Sequence, residues 1–144
     1  MKRSRIAVLT VACVMAAGFA LAQTAEAPKK MVPPIRGTAQ IGHLPFKTSP
    51  PAKGVVVTKI VLKNLSNAPI VGLKVDEFWY DKEGNTLPGD SQRYRKPFEP
   101  GEVIELTLTT PHNPKMFSQK LNFTHANGDV KLTKLDKIDK PPTP

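Results

Sequence analysis

The sequence predicts an all-β fold, an immunoglobulin-like antiparallel β-sandwich of six or seven strands preceded by a signal-peptide helix. Three observations lead there. Apolar residues recur at every second position in several short runs, clearest in Val56, Ile60 and Leu62 and in Ile104, Leu106 and Leu108. Turn chemistry separates those runs: Asn67-Ala68-Pro69, Gly84-Asn85, Pro100-Gly101 and Asn127-Gly128. No stretch after residue 22 keeps a helical period.

At the N-terminus, Lys2, Arg3 and Arg5 precede an uncharged, mostly apolar run from Ile6 to Ala22 that closes on Ala20-Leu21-Ala22. A basic start, an apolar middle and small residues at the end are what a signal peptidase reads, so residues 1–22 are expected to leave as a signal peptide with Gln23 as the mature N-terminus. The competing reading is an uncleaved anchor, since the run is nearly long enough to span a bilayer; membrane contact is expected only by that route. The single Cys, Cys13, lies inside this run, which excludes disulfides and thiol chemistry from the mature chain. Taking Lys2, Arg3 and Arg5 from the 21 basic residues leaves 18 against 12 acidic, a net charge of +6. The expected location is exported, periplasmic or extracellular, and soluble after cleavage. A basic exported chain suits contact with polyanions, although its Lys residues are spread along the sequence.

Residues 23–36 carry Pro28, Pro33, Pro34 and Lys29-Lys30 and read as an extended linker that buries too little to order itself. The sandwich is expected over 37–138. Thr38–Ile41 offers a first edge strand, and Pro45, Pro50 and Pro51 forbid a central one nearby. Val55–Asn64 follows, with Lys59 and Lys63 on its wet face. Ile70–Tyr80 puts Val71, Leu73, Val75 and Trp79 on one face, where Glu77 interrupts them, so a bulge or a rim position is expected at Glu77. Asp81–Asn85 reads as a hairpin turn with Gly84 at positive φ and Asp81 accepting backbone N–H bonds. Thr86–Arg95, broken by Pro88-Gly89, reads as an edge strand. Val103–Thr109 alternates cleanly, as do Phe117, Leu121 and Phe123. Asn127-Gly128 is the strongest hairpin signal, and Val130 and Leu132 open the closing strand. Residues 139–144 form a polar tail. Such a domain buries roughly 60–70% of its unfolded surface, enough for stability without disulfides.

Glu77-Phe78-Trp79-Tyr80-Asp81, followed by Lys82-Glu83-Gly84-Asn85, resembles the FxLYD motif and D-x-x-G turn of a family of small bacterial exported domains. Phe98-Glu99-Pro100-Gly101-Glu102 resembles that family's L-x-P-G-E corner, and Lys63-Asn64 its strand-ending Asn. The resemblance covers about Val55 to Leu108; Glu77 stands where Phe is expected and Trp79 where Leu is. It implies an immunoglobulin-like, non-enzymatic envelope or secreted module, and it transfers no activity.

Candidate sites are few. The three histidines are His43, His112 and His125; His112 with Met116, and His125 beyond, would be the basis of a soft copper site, but the dense His/Met spacing of such sites is missing. No catalytic residue, metal site or cofactor is expected: there is no Cys nucleophile, no G-x-S-x-G elbow, and Asp76 and Glu77 are adjacent and so point to opposite faces of a strand. Asn64-Leu65-Ser66 and Asn122-Phe123-Thr124 match the N-glycosylation pattern, as chance allows. Arg93-Tyr94-Arg95-Lys96 is the densest basic cluster of the mature chain. Phe78 and Tyr80 should lie opposite Trp79, outside the sheet. If the two strands are neighbours, Phe78, Tyr80, Arg93, Tyr94, Arg95 and Lys96 build a basic, aromatic surface; the competing reading is an edge guarded by its own charges.

The function expected is therefore an exported, non-enzymatic binding or structural module of the cell envelope, acting through a sheet face or edge on a protein or an anionic envelope polymer. The alternative is a polyanion or glycan binder using the basic, aromatic surface, with metal handling a more distant third. Nothing suggests specific nucleic-acid recognition, and the oligomeric state is not legible.

Overall fold

The computed structural model describes residues 30–139, 141 and 142. The expected signal peptide, with its helix, and most of the expected linker fall outside these residues, as do Lys140, Thr143 and Pro144.

The described chain is all-β, with nine strands: β1 (Ala39–His43), β2 (Lys47–Thr48), β3 (Val55–Asn64), β4 (Lys74–Tyr80), β5 (Thr86–Leu87), β6 (Ser91–Arg93), β7 (Val103–Pro111), β8 (Ser118–His125) and β9 (Gly128–Lys134). Seven exceed two residues. One layer is built on β3, which pairs antiparallel with β7 along its length and with β1 and β2 on its other side. The other is built on β4, which pairs antiparallel with β8 on one side and with β5 and β6 on the other. This is the strand arrangement of an immunoglobulin-like sandwich.

One pairing departs from the antiparallel expectation. Strand β9 follows β8 for Thr124↔Asp129 and His125↔Gly128, then runs parallel to β1 from Ala39↔Val130 to His43↔Lys134. So β9 joins the layers, and β1, expected at an edge, lies between β3 and β9. Its alternation is short, which is why the sequence hides its central place: only Ala39 and Ile41 point inward, and Gly42 is buried with no side chain at all.

Alternation produces the core. In β3 the even positions Val56, Thr58, Ile60, Leu62 and Asn64 are all buried, and in β7 Ile104, Leu106, Leu108 and Thr110 face them. From the second layer come Leu73, Val75 and Phe123, and from the loops Ile70 and Phe98. Phe98 is fully buried (0% exposed) and is the largest such side chain. Trp79 is only half-buried, and its indole Nε1 is buried without a hydrogen-bond partner.

The loops follow their chemistry. Asp81 N donates to Asn85 O (3.0 Å), Gly84 has φ +87°, and the turn delivers β5 alongside β4. Asn64, buried, ends β3 by donating through Nδ2 to Ala68 O (3.1 Å) and Phe98 O (2.7 Å), so its amide is already used inside the fold. The last hairpin turns on Ala126-Asn127, one residue earlier than expected, because the positive φ falls at Gly128. The first described residues are also tied down: Ile35 N donates to Pro69 O (2.8 Å), Gly37 N to Asn127 O (2.9 Å), and His125 Nε2 bonds Gly37 O (2.7 Å). The end of the expected linker is thus docked on the sandwich. Residues 70–73 are not strand; Ile70 pairs only with Phe98 before β4 begins at Lys74.

Candidate functional site

β4 is the strand on which the site is built, and its two faces do different work. Val75, Glu77 and Trp79 turn toward the core, while Lys74, Asp76, Phe78 and Tyr80 turn outward. Phe78 is 37% exposed and Tyr80 is half-buried. On one side the register sets Phe78 opposite Lys120 and Tyr80 opposite Ser118 of β8. On the other it sets Lys74 opposite Arg93 and Asp76 opposite Ser91 of β6. β4 and β6 are neighbours, as the basic, aromatic surface requires.

The six residues expected on that surface do not all reach it. Phe78, Tyr80 and Arg93 share the outer face, with Arg93 at the Lys74 level, about 13 Å along the strand from Phe78. β6 ends at Arg93, but Tyr94 N still donates to Leu73 O (2.8 Å), so alternation turns Tyr94 to the face opposite Arg93. Arg95 and Lys96 are exposed beside the face rather than on it. Tyr94 turns inward: its ring meets Phe98 edge-on at 5.9 Å, and its hydroxyl donates to Glu102 Oε1 (3.1 Å). Burial and then the bond and charge of Glu102 push the Tyr94 phenol above its ordinary range. Lys120, absent from the expected set, occupies the place next to Phe78 because β8 pairs with β4, a register no local pattern reveals.

Asp76 balances the cationic end of the face. Its carboxylate sits 2.8 Å from Lys74 Nζ and accepts from Ser91 Oγ (2.7 Å). Partial burial alone would raise it, but the bonds from Lys74 and Ser91 and the charges of Lys74 and Arg93 hold it below the usual carboxylate range. Arg93 and Lys120 have no ion-pair partner among the described residues.

A groove opens beside Phe78 where Pro88-Gly89 separates β5 from β6. It has a volume of about 540 Å³ and is lined by Asp76, Phe78, Thr86, Leu87, Asp90 and Ser91, together with Glu77, Pro88 and Gly89. Gly89 is essential to its shape. A Cβ there would lie 1.9 Å from Glu77 O, so only glycine lets this loop press against β4. Glu77 N donates to Asp90 O (2.8 Å), and Asp90 holds the loop at its other end by accepting Ser91 N (2.7 Å) and, across the layers, Thr109 N (2.8 Å).

Beneath the face lies the residue whose expected position was most in error. Glu77 is neither bulged nor at a rim: it is 3% exposed and in unbroken register with Leu121. Its carboxylate accepts from Thr58 Oγ1 (2.8 Å), Thr110 Oγ1 and Gln119 Nε2, and Gln119 Nε2 also donates to Thr58 Oγ1 (2.8 Å). Hydroxyls and an amide from three strands of both layers therefore converge on one buried carboxylate. The β4 alternation pointed Glu77 inward; only the pairings explain how it is tolerated there.

The remaining candidates separate. Among the described residues no group of three or more His, Cys, Asp or Glu is placed to hold a metal ion. His112 directly follows β7 and donates its N–H to Gly54 O (2.9 Å), whereas His125 ends β8, buried and bonded to Gly37 O. Met116 sits in the turn Asn113–Met116. Phe117, expected inward, is 65% exposed, since it precedes the first strand residue, Ser118.

No family model and no curated protein matches the chain. Among solved structures it is similar to IrmA from Escherichia coli, at 12% identity over 73% of this chain and 98% of that one, with a TM-score of 0.44.

Proposed function

We propose that this protein is an exported, non-enzymatic binding module of the cell envelope, and that its working surface is the outer face of β6, β4 and β8. The observation that carries the reading is the β4 register: it sets Phe78 and Tyr80 in a row on an open sheet face, with Lys120 beside them and Lys74 and Arg93 at the far end. Aromatic rings exposed beside cations are an interaction surface in search of a ligand more than a requirement of the fold.

A face is favoured over an edge. The β5–β6 edge is interrupted at Pro88-Gly89, and the outer edge of β7 is blunted where Asp90 takes the Thr109 N–H. Export rests on the sequence of residues 1–22, and the FxLYD resemblance supports the same setting. It predicts a mature N-terminus at Gln23, which intact-mass measurement of the exported protein checks; retention of the apolar run contradicts it.

Fractionation of exporting cells tests the face itself. The protein should sediment with envelope material, and Phe78→Ala with Tyr80→Ala should release most of it. Lys59→Ala with Thr107→Ala, on the opposite layer, should not. Equal release by both pairs, or by neither, contradicts the proposal.

A further inference from the structure

We infer that the groove and face around Phe78 bind an acidic saccharide, that is, sugar rings carrying carboxylate or another anionic group. The inference rests on the reading of this face as the binding surface and assigns its ligand class. Three observations on independent elements converge on it.

The first is the platform. Phe78 and Tyr80 stand two residues apart on one face of β4, about 6.7 Å from each other along the strand. That row offers flat apolar surface to the C–H face of a sugar ring, the same stacking chemistry by which aromatic side chains take other flat partners. The second is the groove bordering the platform, whose wall carries the Thr86 and Ser91 side chains and the Asp76 and Asp90 carboxylates beside Leu87. The Thr86 hydroxyl and the remaining lone pairs of Ser91 Oγ and the two carboxylates, next to an aromatic ring, offer partners for sugar hydroxyls, in a concavity of about 540 Å³. The third is charge. Lys120 lies directly across from Phe78, and Lys74 and Arg93 close the other end of the strip. Asp76 is engaged most closely by Lys74 and Ser91, and neither Arg93 nor Lys120 has an ion-pair partner among the described residues.

These features also set the binding pose. A ring lies on Phe78 with its edge in the groove, its anionic group toward Lys120, and the glycan continues along β4 past Tyr80 or toward Arg93. The interruption at Pro88-Gly89 is what opens the space, so the broken edge strand has a use beyond guarding against aggregation.

The test is equilibrium binding of the full chain to three polymers: polygalacturonate, which has acidic sugar rings; dextran, which has neutral ones; and polyglutamate, which has charge without rings. Polygalacturonate is expected to bind best, with affinity that falls as salt rises. Phe78→Ala with Tyr80→Ala, and separately Lys120→Glu, should each weaken it roughly tenfold, equivalent to about 1.4 kcal/mol. Both variants are surface changes, and an unchanged melting temperature shows that they still fold. The inference is overturned if polyglutamate binds as well as polygalacturonate, because charge then suffices, or if dextran does, because charge is then irrelevant. It is equally overturned if no polymer binds. Should the envelope retention described above still depend on Phe78 and Tyr80 in that case, the face stands as the binding surface and only the saccharide assignment fails.

Discussion

Glu77 illustrates how a single residue can be costly and specifying at once. A carboxylate at 3% exposure has no ion-pair partner among the described residues; it is held by Thr58, Thr110 and Gln119. Removing it strands those donors, so Glu77→Leu should destabilise the fold by about 3 kcal/mol or more. Combining it with Thr58→Val and Thr110→Val should recover most of that loss, because donors and acceptor then disappear together. Denaturant unfolding of the single and triple variants measures this, and equal losses in both would refute the account of the cluster. Asp81, also buried (8% exposed), shows the same chemistry in a turn. Bonds from the Asn85 side chain, and from the backbone N–H groups of Asn85, Glu83 and Gly84, outweigh desolvation and hold its carboxyl below the ordinary 3.8. As pH falls, the unfolded chain therefore takes up the Asp81 proton first. The contribution of Asp81 is full above the ordinary value and lost as pH drops through the lower folded one. Asp81→Asn should flatten the acid limb of the stability profile below about pH 4, as read from urea midpoints, while lowering stability near neutrality.

At the scale of elements, legibility tracked how local the cause was. β3 and β7 were readable because strict alternation against a buried partner fixes their faces, and the Asp81–Asn85 turn because its chemistry is contained in five consecutive residues. β1 was not, since its central place depends on a parallel partner nearly a hundred residues away. The candidate face divides in the same manner. Phe78 and Tyr80 followed from the alternation of β4, whereas Lys120 required the β4–β8 register, and Tyr94, which alternates with Arg93, turns to the other face. The β5–β6 segment gives a prediction of its own. A Cβ at Gly89 meets the Glu77 carbonyl, so Gly89→Ala should cost about 1–3 kcal/mol in overpacking. It should also displace the loop that forms the groove, which weakened protection of the Glu77 amide in hydrogen exchange would reveal. A melting temperature and exchange pattern like those of the parent chain would mean that the close approach is not required.

For the molecule as a whole, the fold consumes acidic charge and leaves basic charge outside. Glu77 is buried, Asp81 and Asp90 cap turns, Asp76 is paired, and Glu102 accepts from Tyr94 and from Glu99 N. Among the described residues the basic side chains carry fewer such duties, Lys74 with Asp76 and Lys59 with Glu105 aside, so more of their charge stays outside. Composition alone announces a basic chain, but where its charge gathers is decided by strand pairing, which puts Lys120 beside Phe78 and Lys74 and Arg93 about 13 Å further along the strip. The central claim is that this face, and not the opposite layer, meets the ligand. Its most direct measurement is site-specific photo-crosslinking in envelope preparations, with the reactive group placed in turn at Phe78, at Lys120 and at Thr107. Adducts at positions 78 and 120, suppressed by added salt, with none at 107, are the predicted result; adducts at 107 alone, or equally at all three, would contradict it.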